Sequence, residues 1–500
     1  MDDYLRLADR IAADITSGRL RPGQRLLPQR TFARRQGIAA STAGRVYGEL
    51  VRRGLVVGEV GRGTFVRATP PTAGAGRALT EPADPDPDRG PSPDLGPSPD
   101  LSPNPDMGPN PSPSASPSPS ASPSPVPSPA PAPAPCPPPT PVPEPPVNLE
   151  LNYPSAPGQS GLLAPALTRL LDPATLTEAL RPAPATGTGP ARAAVAGLLT
   201  APGWRPAPEG VLFTGNARQA IAAALASLVR PGGRVGVEPL TYPLVKEIAA
   251  RLALTLVPLA TDDEGVLPES VTAAHRTAPL SALYLQPALH NPTSFTTPEP
   301  RRRALARTVT DLGLPVVEDR IWSFLRPEPP FAALAPGLTH VVDGLSKRVA
   351  PGLTVGFLVV PRERVPAVAA AIRSGGWSAG RFALEAAVRW IEDGTVTRLV
   401  TAKRADAARR QRLLTARLSG FTVRSDPHAY HAWWELPSPW RADTFTAAAA
   451  ARGIAVTPGP SFAVDPARTP NAVRLGLASA GTRELGRALG VLGELARRRV

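Results

Sequence analysis

Cysteine is nearly missing from this chain: one residue in 500, Cys136, stands inside a proline-rich tract where no core can form. Disulfides and thiolate metal sites are therefore excluded from the architecture, no metal is expected, and a reducing compartment fits. Long apolar runs are lacking as well. No stretch reaches the roughly 18 apolar residues that a membrane-spanning helix needs. The opening MDDYLRLADRIAADI is acidic and amphipathic, unlike a secretory leader. A soluble, cytoplasmic protein without a membrane partner is expected.

What the chain does carry is unevenly distributed. Residues 1–69 hold 13 Lys/Arg against 6 Asp/Glu, residues 70–147 hold 2 against 8, and residues 148–500 hold 40 against 27. The first segment has the charge density of a polyanion-binding unit, whereas the excess in the last is diluted over a far longer stretch. Between them, residues 70–146 contain 30 of the 67 prolines and almost no large apolar side chains. Such a tract cannot offset its backbone entropy by burial, so residues 70–147 read as a proline-rich, disordered linker. Docking of SH3-like partners on this tract is a competing reading.

In residues 1–69, Leu5, Ala8, Ile11, Ala12 and Ile15 form an apolar stripe at helical spacing, closed by Gly18. Arg21-Pro22-Gly23-Gln24 reads as a turn, and Pro28 suits the start of a second helix over 29–36, ended by Gly37. Ser41 is placed as the N-cap of a third helix over 42–53, with Gly54 beyond it. Val46, Leu50 and Tyr47 face inward there, and Thr42, Arg45 and Arg52 face solvent. Two short strands follow around Gly58–Gly63, with Arg62 at the tip of a wing. Three helices and a wing make a DNA-reading unit: the third helix enters the major groove, where Arg45 reaches base edges and Thr42 a base or phosphate. Arg30 and Arg62 are positioned for phosphates. Each arginine taken singly reads equally well as a solvated charge.

The stretches SGRLRPGQRLLPQRTFA, STAGRVYGELVRRGLV and GRGTFV resemble the GntR-type winged-helix family over residues 4–67. The resemblance implies DNA contacts by Arg30 and Arg45 and a partner of double-stranded operator DNA. Leu27 stands where that family usually has proline, so a local adjustment before the second helix is expected.

Beyond residue 190, short apolar strands alternate with longer helices: strands from Val211, Arg234, Leu254, Ser281, Pro315, His340 and Val355, and helices over 217–229, 242–251 and 299–311. This pattern predicts a buried, mainly parallel sheet, with functional residues at the carboxyl ends of its strands. Those ends carry TGNARQA from Thr214, suited to a phosphate at a helix start, and Tyr242, suited to stacking on a flat ring. They also carry Asn291 in NPT, Asp319 ending PVVED, and Lys347 ending VVDGLSK. A lysine there can condense with an aldehyde, and a buried aspartate can keep a pyridine nitrogen protonated.

The region resembles fold type I aminotransferases, most strongly over residues 186–360 and more weakly to Leu477, and the tandem with a winged helix resembles the MocR subgroup of GntR regulators. The resemblance implies an α+β winged helix-turn-helix domain joined to a large α/β fold type I PLP-dependent transferase-like domain over residues 148–500. It implies pyridoxal 5′-phosphate as cofactor, with Lys347 bonded to it as the catalytic-type lysine, Asp319 at the ring nitrogen, Asn291 at the ring oxygen and Tyr242 stacked. Ala217, Arg218 and Ser346 are further cofactor contacts, and Arg474 in NAVRLGLA grips the carboxylate of an amino acid or amine effector. A homodimer follows on the same footing.

There are departures. Gly344 replaces a phosphate-binding serine, Thr354 a phosphate-binding arginine, and Ile321 an aromatic hydroxyl; Pro184-Ala185-Thr186 lacks a tyrosine that relatives offer to a neighbouring subunit. The expected function is a transcriptional regulator whose operator binding responds to effector or cofactor. A working aminotransferase and a cofactor-free small-molecule sensor are the alternatives.

Overall fold

The computed structural model describes residues 3–66 and 146–498, apart from 17–18, 21–23, 54, 60–62, 353–354, 466–467 and 469. Gly18, the 21–23 turn, Gly54, Arg62, the tract over 70–145 and Thr354 lie outside the described residues.

The amino-terminal part consists of α1 (Asp3–Thr16), α2 (Gln29–Gln36), α3 (Ala40–Arg52) and the antiparallel pair β1 (Val56–Glu59) and β2 (Gly63–Val66). Ala8, Ile11, Phe32, Val46, Leu50, Val56 and Val66 form its core. Each large apolar side chain fully buried there stabilises the fold by about 1.5–3 kcal/mol. Leu5 stays outside this cluster, and Tyr4 and Leu7 pack on it instead. Gly37 ends α2 with a φ of 63°, a left-handed value that glycine adopts without a Cβ clash. Replacing the usual proline by Leu27 leaves α2 intact, and the Leu27 carbonyl accepts a 2.6 Å hydrogen bond from the Tyr47 hydroxyl.

One expectation fails in α3. The helix starts at Ala40 with Ala39 as its N-cap, and no side chain caps it. Ser41 lies inside the first turn, because the extended backbone of Ala39 begins the helix two residues earlier than expected.

The larger part is built on a seven-stranded sheet of β3 (Val211–Thr214), β4 (Arg234–Val237), β5 (Thr255–Pro258), β6 (Ala282–Leu285), β7 (Val316–Asp319), β8 (Thr339–Gly344) and β9 (Gly356–Val359), in the order β3-β9-β8-β7-β6-β4-β5. Only β9 runs antiparallel to its neighbours. Strands β3, β6, β7 and β8 are buried along their whole length, which explains their apolar stretches VLF, ALYL, VV and VV. Helices cover both faces; Ala217–Leu228 buries seven residues against the sheet. The Lys347 turn follows directly from β8, as the helix Leu345–Arg348.

A second, antiparallel sheet joins Val423–Ser425, His431–Glu435, Ala472–Gly476 and Thr457–Pro458. The helix Thr482–Arg497 packs on it around Trp434, Phe445, Leu489 and Leu492. Its strand Ala472–Gly476 carries Arg474.

Candidate active site

The carboxyl ends of the parallel strands open into a cavity of about 200 Å³. Asn291, Asp319, Ser346, Lys347, Tyr242, Ala217, Arg218 and Arg474 all line it. Residues more than 250 positions apart in sequence thus face one volume, because strand order brings their elements together.

Asp319 ends β7 and is 5% exposed. Its Oδ1 accepts the Ile321 N–H at 3.0 Å, and its Oδ2 accepts the Tyr284 hydroxyl at 2.7 Å and the Gln286 amide at 3.3 Å. Burial pushes its pKa up to about 6, against the lowering effect of these donors. Gln286 also donates to the Tyr284 hydroxyl at 2.7 Å and accepts the Asn291 N–H at 2.9 Å. Asp319 and Asn291 are therefore tied through one glutamine.

Asn291 sits in a loop flanked by Leu289 and Ser294, two non-glycine residues with left-handed φ values of 50° and 63°. Such backbone costs about 1–3 kcal/mol per residue and is found where surrounding structure enforces a geometry. The Asn291 side-chain oxygen is buried and has no partner among the described residues.

Lys347 donates to the Asn152 carbonyl at 2.7 Å, and its amine lies 3.9 Å from the ring centroid of Tyr153. Burial first, then the charges of Arg474, Arg218 and Lys403, hold its pKa well below the ordinary lysine value. A larger share of this amine is uncharged at neutral pH, which is the nucleophilic form. Arg474 is 3% exposed, donates to the Glu150 carbonyl at 2.8 Å and has no partner for its Nε among the described residues; burial brings its pKa down to about 10. The helix Ala217–Leu228 begins at the cavity, capped by the Asn216 side chain on the Gln219 N–H. Its first-turn amides have no helical carbonyl to bond, so they suit an anion.

Several lining residues were not foreseen. Glu150, Asn152 and Tyr153 follow the proline tract, and the Tyr153 aromatic ring was the one signal available in the sequence. Lys403, fully buried, reaches from the helix Thr395–Arg417 to the carbonyls of Lys347, Arg348 and Val349 at 3.0, 3.0 and 2.7 Å. Gly344 stands in tight space: a Cβ there would lie 3.0 Å from the Val355 carbonyl.

The DNA-contact candidates occupy the amino-terminal part. Arg30 and Ser41 are exposed and Thr42 is half-buried. Arg45 is exposed on α3 with its guanidinium 3.9 Å from the ring centroid of Tyr4 on α1.

The family described as "Bacterial regulatory proteins, gntR family" matches residues 3–66. Residues 3–66 are a gntR-family regulatory domain. Among curated proteins, the chain is 30% identical over 289 residues to "Uncharacterized HTH-type transcriptional regulator YdeF" of Bacillus subtilis, covering 57% of this chain and 63% of that protein. It is 27% identical over 195 residues to the "HTH-type pyridoxine biosynthesis transcriptional regulator PdxR" of Corynebacterium glutamicum, covering 38% of this chain and 42% of that protein. The match thus spans less than two thirds of either regulator. The larger part has the fold of the aminotransferase LysN of Thermus thermophilus, with a TM-score of 0.63 at 24% identity, over 70% of this chain and 92% of that one. An archaeal alanine:glyoxylate aminotransferase gives 0.64 at 20% identity, over 70% and 91%. The gntR-family winged helix is accordingly joined to a fold type I aminotransferase-like fold, the tandem that the sequence resemblance implied. No described helix is long and apolar enough to cross a membrane.

Proposed function

We propose that the chain is a DNA-binding transcriptional regulator whose aminotransferase-like domain holds pyridoxal 5′-phosphate and senses an amino acid, an amine or the cofactor itself. The carrying observation is the convergence of Lys347, Asp319, Asn291, Tyr242 and Arg474 on one cavity, in a chain that begins with a gntR-family domain. The LysN structure named above was solved with N-(5′-phosphopyridoxyl)-L-leucine, a ligand of that protein that suits the same residue types.

The residues present fit the cofactor. A poorly basic amine, a buried carboxyl group, an asparagine amide and a helix start flank one volume. When bound, the cofactor supplies an aldehyde for the amine and a protonated ring that draws electrons. Lys347 would hold it covalently, Asp319 would face the ring nitrogen, and Tyr242 would lie on the ring. Asn291 would turn its amide toward the ring oxygen. The first-turn amides of Ala217 and Arg218, with the Arg218 side chain and the Ser346 hydroxyl, would take the phosphate. Arg474 would receive an effector carboxylate as a planar, two-pronged donor.

Residues 1–69 as reader, 70–147 as linker and 148–500 as sensor make up the proposed organisation, acting as a homodimer in the cytoplasm. Leu171 and Leu180, 62% and 72% exposed beside the helix Pro173–Ala179, offer apolar surface that a second copy can cover. Arg30, Ser41, Thr42, Arg45 and Arg62 are the proposed DNA contacts. Regulation requires that the ligand bind two states of the protein unequally. Operator affinity measured with and without pyridoxal phosphate, and with amino acids added, tests this. The expected result is a change in wild type that Lys347→Ala abolishes; an affinity indifferent to every ligand would contradict it. Steady keto-acid production would instead mark a working aminotransferase.

A further inference from the structure

A second cavity, of about 700 Å³, shares no lining residue with the first. Five carboxyl side chains face it, those of Glu238, Asp262, Asp263, Asp426 and Glu435, against one guanidinium, that of Arg424. Four of the five are paired, between them, with three arginines. Asp262 pairs with Arg301 and Asp426 with Arg326, each at 2.7 Å, while Arg424 serves Asp263 and Glu435, both at 3.1 Å.

Glu238 is the exception. It is 3% exposed, has no ion pair among the described residues, and one of its oxygens has no hydrogen-bond partner. His290, 1% exposed in the same cavity, bonds Thr293 through Nδ1 at 2.7 Å. A buried carboxyl group with one oxygen unbonded and no counter-charge is costly, by about 1–3 kcal/mol for the missing hydrogen bond alone. A group bringing several N–H donors and a positive charge would supply what is missing. Leu240, Phe295 and Trp433 give the same cavity apolar wall. The carboxyl-rich lining disfavours a ligand that carries a carboxylate of its own.

We propose that this cavity is a second ligand site, taking a primary alkylamine without a carboxylate, its ammonium seated on Glu238. The other oxygen of Glu238 accepts the Gln286 N–H at 2.8 Å, and Gln286 is the residue that bonds Asp319, Tyr284 and Asn291. An amine on Glu238 therefore acts one residue away from the groups assigned to the cofactor ring. Binding at this site stands by itself; its influence on the first cavity rests on the cofactor reading.

The test is calorimetric titration of 1,4-diaminobutane into the cofactor-free full-length chain. One saturable site is expected, with the same affinity in Lys347→Ala, since that amine takes no part. Glu238→Gln should weaken it by about ten-fold or more, as loss of a charge-assisted hydrogen bond implies. Asp263→Lys, at a rim position whose side chain is 92% exposed and cannot disturb folding, should weaken it by about three-fold. Absence of saturable binding, equal affinity in wild type and Asp263→Lys or Glu238→Gln, or loss of binding in Lys347→Ala would each overturn the proposal. Failure of pyridoxal phosphate to bind would leave this titration untouched, so the two readings fail separately.

Discussion

The ammonium nitrogen of Lys403 lies 3.0 Å from the backbone carbonyl of Lys347, so one buried lysine holds the chain that presents the other. The carbonyls of Arg348 and Val349, at the end of a one-turn helix, complete the grip. Lys403→Met should lower stability by about 2–4 kcal/mol, because buried carbonyls lose their donor. Urea unfolding checks this, and a midpoint equal to wild type would show that the grip holds nothing.

The same arrangement predicts an unusual titration. The chain has three lysines, Lys246, Lys347 and Lys403, so reductive methylation with ¹³C-formaldehyde yields three resolvable side-chain amine signals. The Lys347 signal should titrate well below an ordinary lysine, and Arg474→Met should move its midpoint upward by removing the largest neighbouring charge. A Lys347 midpoint in the usual lysine range would contradict the assignment of a poorly basic amine.

Asp319 carries a pH signature of its own. Its folded pKa, about 6, lies above the unfolded value, so the folded state holds the extra proton between roughly pH 4 and 6. Stability from this group is present in acid and lost as pH rises through that window. Relative to Asp319→Asn, the cofactor-free wild type should therefore gain up to about 3 kcal/mol as pH falls from 7 to 4. A pH-independent difference between the two proteins would mean that the carboxyl group titrates normally.

On the DNA-binding side, Arg45 projects from α3 and rests on Tyr4. Arg45→Ala should cost about 1–3 kcal/mol on the operator and less on unrelated DNA, whereas Arg30→Ala should weaken both alike. Gel-shift titrations on the two DNA classes decide it; equal losses for both variants would refute the division between base reading and phosphate contact.

Much of this site was legible because strand-end chemistry follows from order along the chain. Asn291, Asp319 and Lys347 each close or follow an apolar strand, and a parallel sheet delivers such ends to one edge. The third-helix start was misplaced because Ser41 is a good cap by type, yet Ala39 takes the cap position through its backbone alone. Gln286, Tyr284 and Lys403 escaped notice for a different reason: their roles depend on side chains reaching across elements, as Lys403 does over 56 positions to Lys347. The tight space at Gly344, where a Cβ would lie 3.0 Å from the Val355 carbonyl, depends on a neighbouring strand and is not written in the local sequence.

The central claim is that Lys347, alone among three lysines, takes the cofactor. Borohydride reduction of the chain incubated with pyridoxal 5′-phosphate, followed by peptide mass spectrometry, measures this directly. One phosphopyridoxyl group on the Lys347 peptide, with an absorbance band near about 400–430 nm that disappears in Lys347→Ala, is the predicted result. Label confined to Lys246 or Lys403, or no label at all, would contradict the account.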